Sequence, residues 1–396
     1  MIPSLRKYFN DIFTPEKYSR LLHELDQLHP AAIQFRLAET PIFVPKIFAD
    51  QMLQACESII DLVIDSAFMR VTSNSIPPGD KVPGSYGYPQ MIAFDFGVCI
   101  DDQKNLIPML VEMQGFPSLY AFQAVYPDIL RTIFPIPDNF SQYLGNFDQH
   151  SYASFLKKTI LGNHSPENVI LLEIKPHEQK TKIDFYCTQD ITGIKPVCIS
   201  ELIKEGNKLF YMNNGVKTIV NRIYNRVIFD ELHSTPAIAG AVDITEELDV
   251  EWVPHPDWFY RISKYTLPFI SHPYVPETFF LNEIKQLPAH LNEYVLKPLF
   301  SFAGQGVIID VTHEDIEKVE DPANWILQRK VNYADVIETP SLPAKTEIRI
   351  MYLWEDGAPR PVPAINLARL SKGKMIGTRY NKDKDWVGGT VAFIER

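Results

Sequence analysis

The sequence has few of the features that mark several large classes of protein. Its 396 residues include four cysteines, Cys56, Cys99, Cys187 and Cys198, and no CxxC pair, which argues against a disulfide framework or a structural zinc site. No apolar run approaches the ~18 residues that a membrane-spanning helix needs. Residues 1–18 are mixed and charged and lack the apolar core of a signal peptide. These absences favour a cytoplasmic protein.

Positive charge is also scarce, since 49 Asp and Glu residues outnumber 38 Lys and Arg residues and give a net charge of −11. A chain of this sign is repelled by phosphate backbones and anionic lipid, so neither nucleic acid nor a membrane is an expected partner. Glycine is outnumbered by proline, 18 to 31, which favours short elements joined by fixed turns over long helices.

Apolar patterns predict helices in the first part of the chain and then a pair of strands. Leu21, Leu25 and other apolar residues before position 70 recur at helical spacing. Strand-like runs follow at Met91 to Ile100 and Leu106 to Gln114, and the polar residues between them predict a hairpin connection.

Strand and helix patterns alternate in the middle of the chain, which predicts a small α/β lobe with a largely parallel sheet. Its predicted strands are Asn168 to Glu173, Pro196 to Ile199, Lys208 to Met212 and Lys217 to Tyr224. In the last part, predicted strands are Glu293 to Leu296, Gly306 to Val311, Trp325 to Lys330 and Glu347 to Leu353. We therefore predict a mixed α+β or α/β fold in three parts, 1–149, 150–254 and 255–396.

Three side chains with oxygen ligands lie on the two predicted strands of the first part. Glu112 and Gln114 are two residues apart and share one face, and Asp95 can join them if the strands pair. Two carboxylates and an amide oxygen form a set suited to Mg²⁺. The alternative is a polar stripe facing solvent, with the core on the opposite face, made of Phe94, Phe96, Val111 and Met113.

A predicted strand that ends at Lys297 runs into a loop of small residues up to Gly306. Such a hairpin can lay backbone N–H groups over phosphates while the lysine supplies a positive charge. P-loop and GxGxxG spacings are absent. A structural hairpin with a solvated lysine is the alternative.

Two arginines lie in strand-like segments near the end of the chain. Arg349 follows Glu347 in Glu347-Ile348-Arg349-Ile350, and Arg369 ends Asn366-Leu367-Ala368-Arg369. Arginine can clamp transferring phosphoryl oxygens in a bidentate manner, but cross-strand Glu–Arg pairs without a function are also common. Gly388-Gly389-Thr390 is interpreted as a substrate-covering loop or a simple turn.

Taken in order, these features resemble the ATP-grasp superfamily in its circularly permuted form, as in eukaryotic-type glutathione synthetases, glutathionylspermidine synthetase-like proteins and related bacterial proteins. The resemblance spans roughly residues 90–396. It implies an ATP-grasp core divided between 1–149, which adds N-terminal helices to the metal-binding strands, and 255–396, the nucleotide-binding part. Residues 150–254 would then be an inserted, Rossmann-like substrate lobe.

The resemblance also implies ATP and Mg²⁺ as cofactors, with roles for individual residues. Asp95, Glu112 and Gln114 match the magnesium ligands, Lys264 and Lys297 match the phosphate-binding lysines, and Glu347 matches an acidic residue near the nucleotide. The phosphate loop would include Ser301, Gly304, Gln305 and Gly306. The strand beside the adenine would be Gln328, Arg329, Lys330 and Val331. Arg369, with Arg349 second, would meet the transferred phosphoryl group or hold a substrate carboxylate.

The activity implied is that of an ATP-dependent carboxylate–amine ligase, which acts through an acyl-phosphate on a small-molecule carboxylate and an amine. Permuted relatives suggest a homodimer. Four positions depart from the family pattern: Gln114 replaces the usual Asn, Ala93 an arginine that steadies the acyl-phosphate, Ser301 an acidic metal ligand, and Ala303 a loop glycine. These departures motivate a second hypothesis, an ATP-binding module that has lost catalysis and acts through a partner. A third is a structural protein without a nucleotide site.

Overall fold

The computed structural model describes residues 1–84, 87–235, 238, 240–301, 304–374, 376 and 381–396. Helices and strands are mixed along this chain, in agreement with the predicted fold class. The α-helices are α1 (Pro3–Ile12), α2 (Pro15–Leu28), α3 (Lys46–Ile64), α4 (Ser66–Thr72), α5 (Phe122–Ile133), α6 (Gln149–Leu161), α7 (Lys182–Thr192), α8 (Phe229–Ser234), α9 (Trp258–Arg261) and α10 (His313–Glu317). None of the helices in these ranges combines the length and apolar character needed to cross a membrane.

Within the described ranges, the strands form five sheets. In chain order they are β1 (Ile42–Val44), β2 (Met91–Ile100), β3 (Leu106–Gln114), β4 (Phe140–Ser141), β5 (Val169–Glu173), β6 (Lys195–Cys198), β7 (Ile203–Glu205), β8 (Lys208–Asn213), β9 (Val216–Val220), β10 (Arg222–Asn225), β11 (Glu251–Val253), β12 (Thr278–Phe280), β13 (Tyr294–Pro298), β14 (Ile308–Ile309), β15 (Trp325–Arg329), β16 (Lys345–Leu353), β17 (Val362–Ser371), β18 (Gly388–Thr390) and β19 (Ala392–Glu395). The predicted hairpin of β2 and β3 is confirmed, with both strands at the predicted bounds.

A five-stranded antiparallel sheet, here called the central sheet, joins distant parts of the chain in the order β18-β17-β16-β2-β3. Phe94, Phe96 and Ile348 point to one face and pack in an apolar cluster that includes Ile59 of α3. The opposite face is buried too, because Ala93 lies in a second apolar cluster. The interpretation of the β2 polar residues as a solvent-facing stripe is therefore wrong.

A second antiparallel sheet, here called the lysine sheet because β13 carries Lys297, has the order β12-β15-β13-β14. Ile326 and Phe280 pack in the same cluster as Phe94, so this sheet lies against the central sheet. The predicted strand Gly306 to Val311 is wrong in its length, since only Ile308–Ile309 is extended. The left-handed backbone at Gly306 (φ 73°) and Asp310 (φ 60°) ends it on both sides.

The middle of the chain contains the predicted parallel sheet, with the order β11-β10-β5-β6 and every neighbouring pair parallel. The single predicted strand Lys217 to Tyr224 is wrong, because it is divided between two sheets. Its first half is β9 in the antiparallel β7-β8-β9 sheet, and its second half is β10 in the parallel sheet. The backbone N–H of Asn221, at the break, donates to Asn168 O (2.8 Å).

The remaining sheet, β1-β19-β4, brings the two ends of the chain together, with β1 and β19 parallel. Gly388–Thr390, interpreted as a loop or turn, is instead the edge strand β18 and pairs with Ala368 to Leu370 of β17. The division of the chain at 149/150 and 254/255 stays a prediction.

Candidate functional site

A line of charged side chains crosses the central sheet on one face. Asp95 of β2 lies opposite Arg349 of β16 in the strand register, so the two side chains point the same way. Arg349 donates to both oxygens of Asp95, from Nε (2.5 Å) and from Nη2 (2.6 Å). Both residues are buried, with Asp95 only 1% exposed. A bidentate, desolvated pair of this kind fixes both side chains in one geometry.

Arg369 of β17 extends this line to a second carboxylate. Its Nη2 donates to Asp95 Oδ2 (2.8 Å) and also to Oε1 of Glu347, its direct cross-strand neighbour. The Arg369 side chain remains 36% exposed, whereas Glu347 is buried. A cross-strand Glu–Arg pair, the alternative raised for these segments, therefore forms, and its arginine is the member that reaches the surface.

Two lysines approach this line from the side of the lysine sheet. Lys297 Nζ donates to Gln328 Oε1 (2.6 Å) and to Val111 O (3.2 Å). Lys264 Nζ donates to the backbone carbonyl of Ser301 (2.7 Å). Both lysines are 8% exposed, so the interpretation of Lys297 as a solvated hairpin residue is wrong.

A β-bulge in the β2–β3 pair provides the backbone carbonyl through which Lys297 contacts the central sheet. Asp95 pairs with Glu112 and Phe96 with Leu110, which leaves Val111 as the extra residue. Its carbonyl lies outside the regular ladder and accepts the hydrogen bond from Lys297.

Glu112 is a half-buried carboxylate that interacts electrostatically with the other charged side chains of this region. Its charge acts on both lysines, on Glu347 and on both arginines. Within the described part of the chain, the Glu112 carboxylate accepts no hydrogen bond. We call Asp95, Glu112, Lys264, Lys297, Glu347, Arg349 and Arg369 the charge cluster.

The pKa values in the charge cluster follow from burial and from neighbouring charges. Burial lowers the pKa of Lys297 to about 8, with Glu112 opposing this shift and Lys264 adding to it. Burial also lowers the pKa of Lys264. Burial alone would raise the pKa of Asp95, but the neighbouring groups, Arg349 first and then Arg369, together hold this pKa below its ordinary value. Burial raises the pKa of Glu347, and the charge of Arg369 opposes this shift.

The three predicted magnesium ligands share one face of the β2–β3 pair. Asp95 lies opposite Glu112, and Gln114 lies two residues further along β3, opposite Ala93. Gln114 Nε2 donates to Phe116 O (3.1 Å), so its amide oxygen is the atom that a metal would meet. No group of three or more His, Cys, Asp or Glu side chains in the described ranges could hold a metal ion. The predicted set has two carboxylates and an amide, and it stays a prediction.

The residues predicted to contact ATP divide into two groups. Lys264, Lys297, Glu347 and Gln328 lie in or beside the charge cluster, with Gln328 fully buried. Arg329 and Lys330 instead pair with Glu293 (3.1 Å) and Asp310 (2.5 Å) near the surface.

The predicted phosphate loop between β13 and β14 is described only in part. Ser301 contributes its carbonyl to Lys264, Gln305 is exposed, and Gly304 and Gly306 adopt positive φ. A Cβ at Gly306 would lie 3.0 Å from Pro298 Cγ, so the loop passes close to the end of β13. Ala303, one of the four departures from the family pattern, lies outside the described residues.

Sequence reasoning missed Tyr333, whose hydroxyl donates to Glu347 Oε2 (2.8 Å). The sequence signal that could have found it is Gly97, a glycine inside an apolar strand, which often marks a close approach of another segment. A Cβ at position 97 would lie 2.7 Å from Tyr333 Cε1 and 3.0 Å from Val331 Cγ1.

A second polar group lies at the carboxyl ends of β5 and β10 in the parallel sheet. The chain runs from β5 outward to β6 and then returns to β10 on the other side, so these two strands flank the topological switch point. In open α/β sheets, ligands bind in the crevice at this place. We call Glu173, Asp184 and Arg226, which lie there, the switch-point cluster.

The switch-point cluster contains an arginine with unused hydrogen-bonding capacity. Arg226 Nε and Nη1 are buried and have no hydrogen-bond partner among the described residues. Burial raises the pKa of Glu173 to about 8, although the charge of Arg226 opposes this shift. Glu173 is therefore mostly neutral at pH 7 and does little to cancel the arginine charge.

The same cluster also borders the segment that follows β3. Asp184 accepts hydrogen bonds from the backbone N–H groups of Leu119 (3.1 Å), Ala121 (2.9 Å) and Phe122 (3.0 Å), at the start of α5. A buried carboxylate at a helix N-terminus satisfies amides that the helix cannot, and so holds this segment in place. Sequence reasoning assigned no role to Arg226.

The fold is similar to that of a glutathione synthetase-like effector from Globodera pallida, solved in its apo form. The TM-score is 0.58, and the match covers 96% of this chain and 97% of that chain, at 11% sequence identity. At this identity the similarity concerns the fold alone. No model of a known protein family matches the chain, and no curated protein sequence matches it.

Proposed function

We propose that this chain is an ATP- and Mg²⁺-dependent carboxylate–amine ligase built on a circularly permuted ATP-grasp core. The observation that carries the proposal is the charge cluster, in which two buried lysines and a half-exposed arginine surround Glu112 where two antiparallel sheets meet. The fold similarity to a glutathione synthetase-like effector supports the ligase class. In this proposal residues 150–254 form the substrate lobe.

The residues present fit a magnesium nucleotide. Glu112 is half-buried and accepts no hydrogen bond within the described part of the chain, so its lone pairs are available to a cation. Gln328 Nε2 is buried and has no hydrogen-bond partner among the described residues, which leaves a donor for a polar ligand atom. Mg²⁺ would supply charge neutralisation to a transferring phosphoryl group. Glu112, Gln114 and Asp95 would hold it, with Asp95 also shared by two arginines.

The side chains of the charge cluster do the work of positioning and charge stabilisation. Lys264 and Lys297 are held by carbonyl and amide oxygens, so their ammonium groups are already oriented before a phosphate arrives. Arg349 donates to both oxygens of Asp95 and acts by fixing that carboxylate. Arg369 reaches the surface and is the arginine that would meet the transferred phosphoryl group.

The carboxylate substrate is assigned to the switch-point cluster. The buried Nε and Nη1 of Arg226 have no hydrogen-bond partner among the described residues, so a charged guanidinium with free donors is available to a carboxylate. The segment that follows β3 connects this cluster to the predicted magnesium ligands, since Asp184 fixes Leu119 and Gln114 donates to Phe116. A substrate held at Arg226 would thus lie near the end of β3, the strand that carries Glu112 and Gln114.

Phosphate release from Mg-ATP tests the proposal, measured with a panel of small carboxylates, each paired with amino acids, short peptides or polyamines. We expect release that depends on one such pair. Lys297→Ala should reduce it by roughly 10²–10³-fold, by analogy with the loss of one oxyanion donor. Lys372→Ala is the control, because the side chain of this lysine is also mostly buried, at 5% exposed, but pairs with Asp385 and Ser341, which are not members of the charge cluster. A Lys297→Ala protein with wild-type phosphate release would contradict the proposal.

A second candidate is an ATP-binding module without catalysis. It is favoured by Asp95, whose two oxygens are already occupied by Arg349 and Arg369, and by Ala93 and Ser301 at two family positions. This candidate predicts thermal stabilisation by Mg-ATP and no phosphate release with any substrate pair.

A further inference from the structure

The Glu347 carboxylate is held from two sides. Its Oε1 accepts from Arg369, and its Oε2 accepts from the Tyr333 hydroxyl (2.8 Å). Glu347 is 4% exposed, so water does not readily replace either donor. The orientation of this carboxylate, and of the arginine bound to it, therefore depends on the tyrosine.

Tyr333 belongs to the segment that leaves the lysine sheet after β15 and crosses onto the central sheet. The backbone N–H of Ala334 donates to Val98 O (2.9 Å), and Tyr333 forms a β-bridge with Cys99. Gly97 leaves room for the Tyr333 ring, because a Cβ there would lie 2.7 Å from ring atom Cε1. The position of the tyrosine is thus fixed where the central sheet and the lysine sheet meet, beside the charge cluster.

We propose that Tyr333 is a positioning residue that aims Arg369 through Glu347, and so links the strand expected beside the adenine to the arginine expected at the transferred phosphate. The proposal rests on the proposed function, since it assigns Arg369 to the third phosphate of ATP. Tyr333 itself touches no reacting group.

Loss of the tyrosine hydroxyl has a definite physical consequence. Glu347 Oε2 would be left without its donor in a desolvated site, which is costly for a charged group. The carboxylate can recover a partner by turning both oxygens toward Arg369. The guanidinium would then be drawn toward Glu347 and away from the exposed side of the cluster.

The test is Tyr333→Phe in the full-length protein, which keeps the ring and removes only the hydroxyl. We expect kcat for phosphate release to fall by about tenfold or more and KM for ATP to rise, while KM for the carboxylate substrate, which is assigned to Arg226, changes by less than about twofold. The ratio of the dissociation constants for Mg-ADP and Mg-ATP, from calorimetry, should fall about tenfold as well, since Arg369 would no longer favour the third phosphate. This second readout needs no turnover.

Two further variants separate positioning from a general effect on stability. Gly97→Ala keeps the hydroxyl but displaces the ring, and should lower kcat and the ADP/ATP ratio in the same direction. Tyr294→Phe is the control, because its hydroxyl also faces a glutamate, Glu277 (3.5 Å), but lies outside the cluster. It should change neither quantity. In a Glu347→Gln background, Tyr333→Phe should add less than about a twofold further loss.

The outcomes distinguish the two proposals. A wild-type protein that binds neither nucleotide overturns the proposed function and the positioning role together. A wild-type protein that prefers ATP, with the same preference and the same kcat in Tyr333→Phe, overturns the positioning role alone. Equal binding of ATP and ADP by a wild-type protein without turnover also overturns it, since Arg369 would then not meet the third phosphate.

Discussion

At the scale of single residues, the unusual group is Lys297, a lysine whose ammonium lies in a desolvated junction between two sheets. Burial lowers its pKa to about 8, and Glu112 only partly compensates. Bound phosphates would stabilise the charged form and raise this pKa again. Nucleotide binding and protonation of Lys297 are therefore coupled.

This coupling predicts a pH dependence with a defined sign. Above about pH 8 the free lysine loses its proton, so the affinity for Mg-ATP should fall by up to tenfold per pH unit, and binding should take up a proton. Calorimetry in buffers of different ionisation enthalpy, from about pH 7 to about pH 10, measures both quantities. Lys297→Arg, which keeps its charge throughout, should flatten the dependence. An affinity that is constant over this range would contradict the coupling.

The same shift contributes to stability with the opposite sign. The folded protein holds this proton less tightly than the unfolded chain, in which the pKa of lysine is about 10.4. Between pH 8 and that value the unfolded state binds more protons, so the contribution of Lys297 to the free energy of unfolding rises with pH.

Residue types and spacings singled out most members of the charge cluster as separate candidates, and the family resemblance added Lys264, but neither predicted the contacts among them. Glu112 and Gln114 are two residues apart, and the period of a strand is enough to place them on one face. Asp95 and Arg349 are 254 positions apart, and no local pattern shows that they pair. Tyr333 was missed for the same reason, since its partner Glu347 is set by how one segment crosses a distant strand.

At the scale of elements, prediction succeeded where a local signal was complete. The β2–β3 hairpin was found because polar turn residues separate two long apolar runs. Prediction failed at β9 and β10, where an unbroken strand-like pattern hides a change of partner sheet at Asn221. It also failed at Gly388–Thr390, because glycines usually mark turns and only tertiary contacts make this segment a strand.

The glycine at position 388 explains how that strand is held, and it gives a prediction about stability. Gly388 has φ 128°, and a Cβ there would lie 2.4 Å from Arg36 O. Gly357 has φ 79° with no atom within 4 Å of such a Cβ, and so is the matched control. Gly357→Ala should cost roughly 1–2 kcal/mol from backbone strain alone. Gly388→Ala should cost about 1–3 kcal/mol more, because strain and overpacking add.

Chemical denaturation of both variants measures the difference. A side chain at position 388 would disturb the contact between β18 and residues 36–38. In this contact Gly389 N–H donates to Arg36 O and Ala38 N–H donates to Gly389 O, both at 2.9 Å. Equal losses of stability in the two variants would show that this contact tolerates a side chain.

At the scale of the whole molecule, the central sheet is assembled from two separated parts of the chain. β2 and β3 pair with β16 and β17, with more than half of the chain between them. A resemblance in the order of motifs pointed to this assembly, whereas periodicity alone could not, because strand partners far apart in sequence leave no local trace. The parallel sheet was easier to predict, because a sequence in which strand and helix patterns alternate is compatible with only a few sheet topologies, and most of these are parallel.

The charge cluster and the switch-point cluster are separate polar groups among the described residues, and the proposed function assigns a different ligand to each. Ligands that bind only the folded state raise the free energy of unfolding, by about 2.7 kcal/mol at a concentration one hundred times the dissociation constant. Arg226→Gln should abolish stabilisation by the carboxylate substrate and retain that by Mg-ATP. Lys297→Ala should do the reverse.

Thermal denaturation of both variants with each ligand alone provides the measurement, once the substrate panel has identified the carboxylate. Arg226 and Lys297 share no hydrogen-bond partner among the described residues, so their effects on the two ligands should be separable. Loss of Mg-ATP stabilisation in Arg226→Gln would mean that the nucleotide extends to the switch-point cluster. The carboxylate would then need another site, and Arg369, the exposed arginine of the charge cluster, would be the next residue to substitute.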